Sequence, residues 1–183
     1  MSSLSDFIGG GGGLTPKFEE FNSAGTFTPS QALIDAGGYI EVFLVGGGAR
    51  GSSTNYGGGG GETILTQMYL TSTTGCAVTI GAGGASNGSS GGNSTFAGSS
   101  AGGTDLTAGG GVSANSQSNK LGAGWGGSLG NYQASAGNGV LGYGAGGAIG
   151  PGSGVRSAKA NSGQGSANDN SAGSGYCLIK WYE

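Results

Sequence analysis

Nine carboxylates, two cysteines and no histidine are what this chain of 183 residues offers for chemistry. Without histidine, the commonest general base and the usual zinc ligand are both missing. Glu19 and Glu20 are adjacent, and the flexible setting expected for them makes a solvated charge pair of the two. Asp35 and Asp105 have no acidic neighbours that would suggest a calcium loop. The glycine blocks lack the Lys-Ser/Thr ending of a phosphate-binding loop. Cys76 and Cys177 read as small buried hydrophobes, not as a disulfide. These residues predict no enzyme activity, no metal and no cofactor.

What takes the place of catalytic groups is a set of large side chains scattered among small ones. Between Ile80 and Tyr176 lie 95 residues, 30 of them glycine and five of them charged. Phe96 and Leu106 are expected to pack between glycine layers. Trp125, Tyr132 and Tyr143 stand beside Gly-Gly, Gly-Asn and Gly-Tyr-Gly stretches, where turns project an aromatic ring with a polar handle. Aromatics among Ser, Gly and Asn also compose binding loops, where rigid rings combine with adaptable hydrogen bonding. These three are the candidate receptor-binding residues.

Something must position them, and the apolar alternation says what. Tyr39–Val45 sets Ile40, Val42 and Leu44 on one face against Tyr39, Glu41 and Phe43. Residues 63–71 align Ile64, Met68 and Leu70, and residues 76–80 align Cys76, Val78 and Ile80. Tyr176–Tyr182 alternates Cys177, Ile179 and Trp181 against Leu178 and Lys180, and a fifth strand is expected over residues 21–28. Period-2 runs rich in β-branched and aromatic residues predict strands. Residues 30–36 predict one helical turn. The fold class is all-β: a small antiparallel β-sandwich-like core with long glycine-rich loop insertions. The last strand is strongly apolar, so the chain must return to the sheet, and residues 81–175 read as an insertion held at both ends. Two arrangements stay open for it: short polyglycine-II-like runs joined by turns, or an irregular stack of loops. A three-residue glycine bias over residues 124–154 is present but far short of collagen's strict repeat.

Residues 1–20 form a separate unit on this reading, with the glycine-rich β domain at 21–183. Leu4, Phe7 and Ile8 share one face of a short helix, Ser3 caps it, and Gly9 to Gly13 make a tether. A helix this short is not stable alone in water, so the three apolar residues are expected to fold on docking into a partner. The formal net charge of −3 argues against nucleic acid, which calls for a basic patch. The start of the chain has neither the basic residues nor the apolar core of a secretory signal, which predicts folding in a cytoplasm.

The stretches FNSAGTFTPS (21–30), YIEVFLVGGGARG (39–51), AVTIGAGGASNGSSGGNSTFAG (77–98) and GYCLIKWYE (175–183) resemble the glycine-rich domain of bacteriophage tail-fibre and tail-tip proteins. That family pairs a "GTFT" strand with an apolar strand ending in three glycines. A "V-x-I-G-x-G-G" strand, a glycine-rich stretch with Ser-Thr/Ser-Phe and a closing apolar strand follow. Some receptor-binding adhesins of T-even-like phages are similar in having a glycine-rich body whose distal loops contact the host. The resemblance implies a virion structural protein, made in the host cytoplasm and bound through Leu4, Phe7 and Ile8 to another tail or baseplate protein. It also implies a homotrimer and a host-surface receptor, glycan or outer-membrane protein, recognised by loops between Gly110 and Ser174. The alternatives from other classes are an ice-binding protein and a structural spacer.

Overall fold

The computed structural model describes residues 14–50, 58–86, 88–112, 162–163, 165–166 and 171–183. In chain order these form β1 (Pro16–Phe21), β2 (Gly25–Phe27), α1 (Gln31–Asp35), β3 (Tyr39–Val45), β4 (Thr63–Tyr69), β5 (Cys76–Thr79), β6 (Ser94–Ala97), a 3-10 turn at Gly98–Ala101, β7 (Asp105–Ala108) and β8 (Tyr176–Tyr182). The strands make two antiparallel four-stranded sheets, ordered β1-β8-β3-β4 and β2-β5-β6-β7. The all-β fold class follows directly from the alternation described above.

Alternation decides which face of each strand goes inside. Ile40, Val42 and Leu44 of β3, Cys177 and Ile179 of β8, and Cys76 and Val78 of β5 are all buried in one core. Met68 joins them, with Ile64 and Ile80 packed against the margin. Burying a side chain of this size contributes about 1.5–3 kcal/mol, and among the described residues these side chains make up the apolar core. Phe27 ties the two sheets together. Its ring stands edge-on to Trp181 of the first sheet at 5.2 Å and lies 6.4 Å from Phe96 of the second. Both cysteines are free and buried; burial pushes the Cys177 thiol up to about 12.

The expected helical turn is α1. The Ser30 hydroxyl accepts from the Leu33 amide at 3.0 Å, and Leu33 drops into the core. Gly37, at φ +102°, ends the helix in a backbone region that L side chains rarely adopt.

Three expectations change. Residues 16–20, grouped with the N-terminal unit on sequence, form most of β1 and pair with β8 from Pro16↔Tyr182 to Phe21↔Cys177. Glu19 and Glu20 therefore point to opposite faces of a strand and are not a solvated pair. Burial raises the Glu19 carboxyl, while Glu20 accepts from the Tyr176 hydroxyl. The strand expected over residues 21–28 is interrupted by a bend at 22–24, so only Gly25–Phe27 joins the second sheet. The region from 81 to 175 is not one insertion, because β6 and β7 lie within it. Phe96 is fully buried and Leu106 packs on the core, as their isolation among small residues suggested.

Candidate functional site

Six glycine-rich tracts run directly off strand ends on the same side of the sandwich. Residues 46–50, 81–84 and 109–112 continue outward from β3, β5 and β7; residues 58–62, 89–93 and 171–175 lead back into β4, β6 and β8. The tract after β3 reveals the arrangement. Gly46 donates its amide to Glu62 (2.9 Å), Gly47 to Gly92 (2.9 Å) and Gly48 to Gly173 (2.8 Å). The cycle then repeats: Ala49 donates to Gly59 (2.8 Å) and Arg50 to Ser89 (2.9 Å). Amides aim at three neighbours in rotation, which is the signature of three residues per turn and not of a strand's two-way alternation.

The carbonyls complete the pattern. Those of Gly47, Gly48 and Ala49 accept from Gly111, Gly84 and Ser166. The central tract thus has six neighbours, the sixth being the segment that carries Gly163 and Ser166. These six bond to one another in a closed ring. Gly58 and Gly61 donate to Ser166 and Gly163, Gly163 to Ser174, and Ala172 and Gly175 to Gly84 and Gly81. Gly92 donates to Ala82, Gly91 to Gly111, and Gly59 and Glu62 to Val112 and Gly109. One polyglycine-II-type tract inside a ring of six is a hexagonal bundle. Of the two arrangements the sequence left open, these tracts adopt the first.

Close approach is why glycine is needed here. A Cβ at Gly47 would fall within 3.0 Å of the Ala82 carbonyl, and one at Gly91 would do the same to the Gly47 carbonyl. Both obstacles are backbone, which cannot rotate aside. The bundle's interior is therefore polar and made of main chain, and the buried amides of Gly46, Gly47, Gly48, Gly58, Gly59, Gly61, Gly84 and Gly111 are all paired across to a neighbour, as burial requires.

Side chains mediate the change from sheet to bundle. Ser94 is fully buried; its hydroxyl donates to the Val45 carbonyl (2.6 Å) and accepts from the Gly81 amide (2.9 Å). The Glu62 carboxylate accepts from Gly109 (2.8 Å), and the Asn93 side-chain carbonyl from Gly110 (2.9 Å). Each replaces a ladder bond lost where the two hydrogen-bonding patterns meet. None of the three stands out in the sequence, since single polar residues beside glycine carry no period. Asp105 has a comparable local role at the 3-10 turn. Ser99 donates to it from its hydroxyl and its amide, holding the carboxyl below its ordinary range.

The bundle gives the molecule two distinct ends. Arg50, Gly58, Val112, Ser166 and Ser171 occupy the end farthest from the strands, where residues 51–57 and 167–170 join the described chain and residue 113 leaves it; Gly163, which the chain reaches after residues 113–161, lies instead beside Val45 and Gly46 near the strands. Thr15 lies at the opposite end, exchanging both backbone hydrogen bonds with Glu183 just past β8. The receptor-binding candidates Trp125, Tyr132 and Tyr143 and the docking candidates Leu4, Phe7 and Ile8 all fall outside the described residues. Among the described residues no three cysteine or acidic side chains converge as metal ligands would. Comparison with protein-family models, with curated proteins and with solved structures finds no match to this chain.

Proposed function

We propose that this protein is a structural component of a bacteriophage tail fibre or tail tip, attached through its N-terminal residues and binding the host surface through glycine-rich loops at its far end. The observation that carries the reading is polarity. Residues 1–13 precede Leu14 at the strand end of the molecule, whereas residue 113 follows Val112 at the bundle end. An attachment peptide at one end and loops that leave from the other, with a rigid body between, is the division of labour an adhesin needs. On this reading the protein has no catalytic role and takes no cofactor, and its partners are tail or baseplate proteins and a host receptor. It acts on the virion as a homotrimer, closed cyclic symmetry being the usual solution for homo-oligomers.

The test separates the two ends. A chain lacking residues 1–13 should fold normally and fail to enter particles. Trp125→Ala, Tyr132→Ala and Tyr143→Ala should each fold and assemble, and at least one should weaken adsorption to host cells by about 1–2 kcal/mol. Normal assembly of the truncated chain, or unchanged adsorption of all three variants, overturns the corresponding half of the proposal.

One observation favours the ice-binding alternative. Thr79, Thr95 and Thr107 form a row across β5, β6 and β7 on the outer face of the second sheet, with the Thr79 and Thr95 hydroxyls 2.6 Å apart. Inhibition of ice recrystallisation that Thr95→Val alters, with no adsorption to cells, would select it over the tail reading.

A further inference from the structure

The outer face of the first sheet is unusual in what it leaves in solvent. Register aligns its side chains in rows across the strands. Pro16 pairs with Tyr182, Tyr39 pairs with Tyr69, and one step beyond the Ile40↔Trp181 pair Tyr182 comes beside Tyr39. Four strands thus carry Pro16, Tyr182, Tyr39 and Tyr69 in one line, about 14 Å long at a strand spacing of about 4.8 Å. The next row is Phe18, Lys180, Glu41 and Gln67. Tyr69 is 64% exposed, Tyr182 53% and Phe18 69%. Tyr39 is half-buried and stands edge-on to Tyr69 at 5.5 Å, which steadies that ring without covering it. A groove of about 510 Å³ runs along this surface, lined by residues of both rows.

We propose that this face is a binding platform for a neutral oligosaccharide. Tyr182 and Tyr69, the exposed rings of the row, stand two strands or about 10 Å apart, and each can stack on the C–H face of a sugar along an extended glycan, with Tyr39 edge-on between them. Hydroxyl groups at the sugar edge then meet Lys180, Glu41 and Gln67 in the adjoining row. The charges favour a neutral ligand over an ionic one. Lys17, Lys180, Glu20 and Glu41 line the groove, two of each sign, and Lys180 is already paired with Glu41 at 3.7 Å and Lys17 with Glu183 at 3.8 Å. A protein partner fits less well, because Lys and Glu are depleted from the middle of protein interfaces, and here they hold the second row. The platform lies at the strand end of the molecule, away from the far-end loops, and does not depend on the tail reading.

Calorimetric titration of the full chain with cellohexaose, maltohexaose, isomaltohexaose and the hexamer of N-acetylglucosamine tests this. At least one should bind, unaffected by 0.5 M sodium chloride. Tyr69→Ala and Tyr182→Ala should each weaken that binding at least tenfold while leaving the melting temperature unchanged, since both side chains are more than half exposed. Silence with all four sugars overturns the proposal, as does binding that survives the double variant. Self-association that the double variant abolishes, with no sugar bound, also overturns it and makes the face a contact between copies.

Discussion

Gly47→Ala puts the hexagonal bundle to its hardest test, because it adds one methyl group where the surroundings are main chain. The new Cβ would collide with the Ala82 carbonyl, so residues 46–48 or 81–83 must move. Gly47 donates to Gly92 and accepts from Gly111, both near 2.9 Å, and displacement breaks both bonds inside a site closed to water. Each buried polar pair left unmade costs about 1–3 kcal/mol. Alanine returns about 0.5–1 kcal/mol by restricting the unfolded chain. The net expectation is a loss of about 1–5 kcal/mol, up to a large share of the total stability of a domain. Gly37→Ala is the control. That glycine has a positive φ and nothing within 4 Å of its Cβ position, so only backbone strain of about 1–2 kcal/mol applies. Urea unfolding at fixed pH, read from the midpoint with the slope checked for constancy, compares the two. If Gly47→Ala costs no more than Gly37→Ala, the tract after β3 is not the tightly surrounded centre of a bundle.

Two further outcomes follow from named contacts. Ser94→Ala should destabilise by about 1–3 kcal/mol, because the Val45 carbonyl and the Gly81 amide both lose their partner; Ser94→Thr, which keeps the hydroxyl, should recover part of that loss, and hydrogen exchange at Gly81 reads the effect directly. On the alkaline side, Cys177 has its pKa raised from 9.0 to about 12 by burial, and Tyr176 from 10.0 to about 12 by burial and by Glu20. A folded pKa above the unfolded one adds stability below the unfolded value and loses it as pH rises through the folded value. Unfolding midpoints should therefore fall between about pH 9 and pH 12, and Cys177→Ala should flatten that fall. An unaltered profile in the variant would mean that the thiol does not stay protonated in the core.

Most of the sandwich was legible because its strands obey a two-residue period with large side chains. β3 and β8 are the clearest cases: Ile40, Val42, Leu44 and Ile179 can face only one way without exposing a continuous apolar stripe. β1 was hidden by its own edge position. Lys17, Glu19 and Glu20 are the charged residues that keep an edge strand from pairing further, and on sequence they look like a polar tether. β6 and β7 were hidden by brevity, since Phe96 and Leu106 are single large side chains in four-residue strands. The bundle was illegible for a different reason. Its period of three lives in the directions of hydrogen bonds between segments far apart in the chain, so the short tracts at 46–50 and 81–84 show no internal repeat. The stretch with the three-residue glycine bias, 124–154, lies outside the described residues, as do both sets of candidate binding residues.

The sandwich also explains how the bundle can exist at all. Glycine gives up more conformational freedom on ordering than any other residue, roughly 0.5–1 kcal/mol beyond alanine in regular structure. A hydrogen bond nets only about 0.5–1.5 kcal/mol. Tracts held by such bonds alone would stand near balance and would not assemble from a free chain. Here each tract that adjoins a strand is positioned before it pairs. The order β8-β3-β4 carries over into tracts 171–175, 46–50 and 58–62, and β5-β6-β7 carries over into three consecutive members of the ring. Only the segment bearing Gly163 and Ser166 lacks a strand of its own, and it fills the place between 171–175 and 58–62. Hydrophobic burial in the sheets thus supplies the ordering that glycine cannot, and the bundle transmits that order to the far end with almost no side chains. Residues 113–161 are consequently bracketed by ring members, Val112 before them and Gly163 just after, both hydrogen-bonded into the bundle. The chain therefore leaves for residues 113–161 and returns from them on backbone that the strands have already fixed.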